Sequence, residues 1–211
     1  MDSLVAESPR DWLKPRRTAT AAVEGPATET EALPDTLDAF QAWLAAMPLS
    51  FASAGAARLA PAGEPAAGLM VITDMPALDG GWFEGDADPL FDRMMAAIGR
   101  GRDRLYLASL SPIRTAGVRL DPANERRLAD IARHHIGLVR PRALLLFGDM
   151  CAQALLGAGM AQMRGRWHDL ETPAGPIRTL ATIRPEQVAQ QPKHRKIVWG
   201  DLQMLMEELN G

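Results

Sequence analysis

Four short and almost uninterrupted apolar runs constrain this chain most: "LMVITDM" (69–75), "RLYLASL" (104–110), "ALLLFGD" (143–149) and "IRTLATI" (177–183). A strand with one wet face alternates apolar and polar residues, whereas a strand that is apolar throughout is buried on both faces. Between these runs the apolar period changes to that of a helix. Strand and helix in alternation, joined by right-handed crossovers, give a parallel sheet covered on both sides. The fold class read from the sequence is α/β, a three-layer α/β/α sandwich around a parallel sheet of about four strands.

The intervening helices carry their own punctuation. Asp35 or Thr36 can cap a first helix in which Leu37, Phe40, Leu44 and Met47 form one apolar stripe, and Pro48 ends it. "PLFDRMMAAIG" (89–99) closes on Gly99, and "DPANERRLADIARHHIGLVRP" (121–141) opens with Asp121 as cap and Pro122 at its first position. "MCAQALLG" (150–157) and a last helix from about Lys193 to Leu209 complete the series, while residues 52–68 read as a small-residue connector. Ligands of such sheets gather at the carboxyl ends of the strands. That puts "TDMPALDGG", "SLSPIR", "FGDM" and "TIRPEQ" on one rim.

Residues 1–33 are rich in Ala, Pro, Thr and Glu and lack apolar periodicity, so they are read as a disordered tail ahead of a domain spanning 34–211. Inside the tail, "RDWLKPRR" sets Trp12 and Leu13 among basic residues, the pattern of a docking peptide for a protein partner. No run reaches the roughly eighteen apolar residues of a membrane span, and the N-terminus has no signal-like apolar stretch. A cytoplasmic chain, monomeric on its own and not membrane-bound, is expected.

The net charge of −3 argues weakly against a nucleic-acid partner, but its distribution matters more than its sum. Residues 1–40 hold four Lys/Arg against eight Asp/Glu, so residues 41–211 hold 19 against 18. Residues 160–200 hold seven basic groups against three acidic ones, a local basic surface. The single cysteine, Cys151, excludes an internal disulfide and any multi-cysteine metal site, and it is read as a buried structural thiol. His134 and His135 lie mid-helix beside Arg133, where at least one is expected to face solvent, and no third ligand stands at metal spacing. No metal or other cofactor is expected.

Taken in order, these segments resemble the uracil-DNA glycosylase superfamily, most closely its fourth, iron-sulfur family, over about residues 37–209. The resemblance is strongest in "IGLVRPRALLLFGDMCAQALLG", "MRGRWHDL" and "HRKIVWGDLQML". It places "TDMPA" on the family's Gly-Glu-Ala-Pro-Gly motif, with Pro76 kept and Asp74 at the water-orienting carboxylate. Phe83 falls on the phenylalanine that stacks against the flipped base. Ser109 of "YLAS" replaces the asparagine that reads the uracil edge, and Arg184 of "TIRP" replaces the histidine that stabilises the departing anion. The four cluster cysteines fall on Leu44, Met47, Ile113 and Leu128, all apolar. Two basic segments that flank the flipped nucleotide in the family keep Arg164, Arg166, Lys193, Arg195 and Lys196 here.

Two readings follow from the resemblance. In one, the chain is an active glycosylase of altered specificity, with Asp74 orienting water, Pro76, Phe83 and Ser109 lining the base site and Arg184 assisting the leaving group. In the other, it is a catalytically silent or weak repair or replication factor that binds DNA through the basic rim, or a protein partner through Trp12 and Leu13. The second is preferred. Serine is too short for the two-point contact that selects uracil, and guanidinium cannot take up the geometry of a neutral imidazole.

Overall fold

The computed structural model describes residues 32–52, 56–115 and 120–211. Trp12, Leu13 and the rest of residues 1–31 lie outside the described residues. The unit from Leu33 to Gly211 is built on one six-stranded sheet. Its first helix, α1 (Leu37–Ala46), starts where the Thr36 hydroxyl accepts a hydrogen bond from the Ala39 N–H at 3.4 Å. Phe40 and Leu44 form its buried stripe.

The four apolar runs form β2 (Leu69–Thr73), β3 (Tyr106–Ser109), β4 (Ala143–Phe147) and β6 (Gly175–Thr182). They are mutually parallel, as expected, and lie in the order β3-β2-β4-β6. The sheet is nevertheless mixed rather than purely parallel. A two-residue β1 (Ala62–Gly63) pairs antiparallel with β3, and β5 (Trp167–Thr172) pairs antiparallel with β6, giving the order β1-β3-β2-β4-β6-β5. At Gly63, with φ +98°, a Cβ would overlap the Leu105 carbonyl oxygen, so this edge depends on glycine. Much of "MRGRWHDL" is therefore strand rather than loop.

Period-two alternation along the strands sends side chains to two separate cores. Met70, Ile72, Tyr106, Leu144 and Leu146 pack with α1, α3 (Pro122–Val139) and α4 (Asp149–Leu156). Leu69, Val71, Leu107, Leu145 and Phe147 pack on the other face with α2 (Ala87–Ala97) and α7 (His194–Asn210). This is the three-layer arrangement. Two short helices, α5 (Met160–Met163) and α6 (Pro185–Gln190), sit in the connections after α4 and β6.

Of the histidine pair, His135 is the buried member and His134 the partly exposed one. His135 is 4% exposed and its Nε2 lies 3.0 Å from the Tyr106 hydroxyl, which also accepts a hydrogen bond from Gln41 Nε2 at 2.8 Å. Burial, with the nearby His134, lowers its pKa to about 3, so the ring is neutral. His134 is half-buried, its Nε2 2.8 Å from the Pro34 carbonyl oxygen.

Candidate functional site

The carboxyl ends of β2, β3, β4 and β6 meet at one rim, and each delivers a residue there. Asp74 follows β2 directly and turns over Gly148, the residue between β4 and α4. Its Oδ1 accepts a hydrogen bond from the Cys151 N–H at 2.8 Å, so a side chain from another strand satisfies one of the free donors in the first turn of α4. Asp74 is 7% exposed. Burial raises its pKa, and the Cys151 N–H and Arg184 oppose that rise without cancelling it.

Arg184 leaves the end of β6 as the residue before α6. Its Nη1 lies 3.6 Å from Asp74 Oδ2, which brings together the two residues that sequence placed in catalytic roles. The rest of the guanidinium is engaged elsewhere. Nε donates to Glu186 Oε2 at 3.2 Å and Nη2 donates to Glu186 Oε1 at 3.1 Å, a two-point pair. Burial works against the Arg184 charge, but Glu186 and Asp74 outweigh it and its pKa is raised.

A second pair ties the neighbouring loops into this arrangement. The Glu84 N–H donates to Glu186 Oε1 at 3.4 Å, the Glu84 carboxylate pairs with Arg114 at 2.7 Å, and Arg114 Nη1 donates to the Pro76 carbonyl oxygen at 3.0 Å. Three rim segments are thus joined through one ion pair and two hydrogen bonds to backbone groups. Glu186, Glu84 and Arg114 were not recognised in the sequence. Glu186 stands two positions from Arg184 in "TIRPEQ", but only the backbone turn into α6 makes the two side chains meet.

The remaining sequence candidates are spread more widely. Pro76 is buried. Phe83 is 2% exposed, its ring centroid 4.8 Å from that of Phe91 and 6.0 Å from that of Phe147, so the ring lies within the core behind α2. Ser109 is half-buried at the end of β3, in register with Thr73. The Thr73 hydroxyl is buried and has no hydrogen-bond partner. Asp74 also lines a cavity of about 720 Å³ with Met75, Leu110, Leu128, Asp149 and Met150, on the α3 and α4 side of the rim.

Of the basic candidates, Lys193, Arg195 and Lys196 are exposed around the start of α7, Arg166 is exposed ahead of β5, and Arg164 is half-buried after α5. Arg164 lies close enough to Asp201 of α7 to offset part of the burial that raises the Asp201 pKa. The Asp201 carboxylate accepts a 2.6 Å hydrogen bond from the Thr182 hydroxyl, which fixes α7 to the end of β6.

Leu44, Met47, Ile113 and Leu128 are all buried. Cys151 is the only cysteine of the chain, and its fully buried thiol has a pKa pushed well up by burial. Four thiolates are therefore not available to an iron-sulfur cluster, and the group does not fit this chain. Among the described residues no helix is long and apolar enough to cross a membrane.

The model of the uracil DNA glycosylase superfamily matches residues 60–203. The chain belongs to that superfamily. The match starts just before β1 and runs into α7, so all six strands and the whole rim lie inside the superfamily domain. No curated protein matches the chain.

Proposed function

We propose that this superfamily member is a DNA repair or replication factor that binds DNA through its basic rim and whose base-excision chemistry is silent or weak. The observation that carries the reading is the state of Arg184. A leaving-group stabiliser needs donors aimed at the developing anion. Here three guanidinium nitrogens face carboxylates instead, two on Glu186 and one toward Asp74. Asp74 in turn spends Oδ1 on the start of α4. Acid and base partners neutralise each other rather than facing a substrate. The burial of Leu44, Met47, Ile113 and Leu128 supports the same history, in which a cluster site has been refilled as core.

One observation favours the alternative, an active glycosylase of altered base preference. Asp74 borders a cavity of about 720 Å³, large enough to bring water to its carboxylate. A single assay separates the two. The full chain is incubated with single- and double-stranded oligonucleotides carrying uracil, hypoxanthine or xanthine, and the products are treated with alkali. The expected result is binding at low salt without strand breaks. Alkali-labile sites formed in proportion to enzyme would establish the active reading. No affinity for any of these DNAs would leave a protein partner engaging Trp12 and Leu13 as the function.

A further inference from the structure

The inner face of α7 is apolar, with Val198, Leu202, Leu205 and Leu209 in the core. Its outer face is unusual at the rim end. Trp199 is 42% exposed, one of two large hydrophobic side chains so open among the described residues. Arg195 and Lys196 precede it by four and three positions, which makes them its neighbours on the helix surface. Both are exposed, as is Lys193 just before the helix. Among the described residues none of the ion pairs involves Lys193, Arg195 or Lys196.

Two costs are built into this surface. The first turn of α7 carries no acid, so these cations sit where the helix dipole disfavours them. Gly200, next to the tryptophan, lies in mid-helix, where glycine costs about 1 kcal/mol relative to alanine. No packing explains it, because an added Cβ would meet nothing within 4 Å. An exposed aromatic ring flanked by unpaired cations one turn away suits a partner that carries planar rings and regularly spaced anions.

We infer that the Arg195–Lys196–Trp199 face of α7 is a binding platform for single-stranded nucleic acid, on which a base stacks on Trp199 while Arg195 and Lys196 hold the adjoining phosphates. The inference rests on the DNA-handling reading and adds to it the strand state that is preferred. In a duplex the base faces are already stacked on one another and only the phosphates are available. A single strand offers both features, and stacking on an aromatic side chain is tolerant of sequence.

The test uses the full chain, an oligothymidylate of about 16 nucleotides and a duplex of the same length, followed by anisotropy of the labelled DNA and by tryptophan fluorescence. The single strand is expected to bind more tightly and to quench fluorescence, with most of the quench lost in Trp199→Phe. Trp199→Ala should weaken single-strand binding about tenfold, the loss of one stacked base, and leave duplex binding within about twofold. Arg195→Glu with Lys196→Glu should weaken both. If Trp199→Ala leaves single-strand affinity unchanged, or wild type shows no Trp199-dependent quench, the platform is refuted while phosphate binding by the rim stands. If neither DNA binds wild type, the DNA-handling reading fails with it.

Discussion

Gly148 and Asp74 occupy adjoining space so closely that a Cβ at residue 148 would overlap both Asp74 carboxylate oxygens. Residue 148 also has φ +112°, a conformation that side chains other than glycine's rarely adopt. The Asp74 carboxylate thus reaches the Cys151 N–H only because its neighbour has no side chain. Gly148→Ala must expel the carboxylate or displace the start of α4. The expected loss is about 3 kcal/mol or more, combining backbone strain with a broken charge-assisted hydrogen bond. Urea denaturation measures it, and wild-type stability would mean that Asp74 does not sit over residue 148.

Removing Arg184 leaves the Asp74 and Glu186 carboxylates without their shared cation at side-chain exposures of 9% and 15%. Arg184→Ala should therefore cost up to about 3 kcal/mol at neutral pH. Lysine cannot make the two-point contact with Glu186, so Arg184→Lys should recover only part of it. The pH dependence is diagnostic. Burial already raises the Asp74 pKa and Arg184 restrains that rise, so the variant raises it further. A carboxyl whose folded pKa lies above its unfolded value is least costly when protonated. The deficit of Arg184→Ala should therefore shrink as pH falls toward 4, and a deficit independent of pH would contradict the pairing.

His135 acts in the opposite sense. Its folded pKa of about 3 lies below the ordinary imidazole value of 6.5, so the unfolded chain takes up a proton that the folded chain refuses. The stability it provides is complete above about pH 6.5 and is lost as pH falls toward 3, at about 1.4 kcal/mol per pH unit while only the unfolded ring is charged. His135→Gln keeps a polar partner for the Tyr106 hydroxyl and cannot titrate. Between pH 6.5 and 4.5 its stability should fall less steeply than that of wild type. Parallel slopes would place the ring in contact with water.

The positions of the four parallel strands were legible because burial on both faces leaves no polar gap in the sequence. The two antiparallel edges were not. Ala62 and Gly63 pair through backbone alone and carry no side-chain signal, and in "WHDLET" only Leu170 is buried, so its alternation was masked by charge. The sequence did not say which of His134 and His135 is the buried one, although His135 lies one turn after the buried Ile131 and faces Phe40 at 4.7 Å between ring centroids. At the rim, Asp74 and Arg184 were found by resemblance, whereas Glu186 was counted only as one acid among basic residues. Its partner is chosen by the turn into α6, which sequence spacing does not encode.

If Leu44, Met47 and Leu128 are working core residues, truncating them should carry the cost of a cavity. All three belong to the cluster between the sheet and the layer of α1 and α3. Met47→Ala and Leu128→Ala are each expected to cost about 2–5 kcal/mol. A loss below about 1 kcal/mol at both would argue that these side chains are not packed as core.

Ser109→Asn with Arg184→His restores the two side chains that the resemblance finds replaced, and it is the natural attempt to recover uracil excision. This pair of changes alone is expected to be insufficient. Without the guanidinium, Glu186 keeps a carboxylate whose side chain is only 15% exposed, two residues from the new imidazole and with no cation to balance it. Charge of the same sign as the departing uracil anion opposes bond cleavage, and the opposition grows as water is excluded. The double variant should therefore show little release of uracil from single-stranded DNA under single-turnover conditions. Adding Glu186→Gln keeps the acceptor for the Glu84 N–H while removing the charge, and should raise the rate at least tenfold over the double variant, a change of about 1.4 kcal/mol in the barrier. Equal rates in the double and triple variants would show that the Glu186 charge does not limit uracil release.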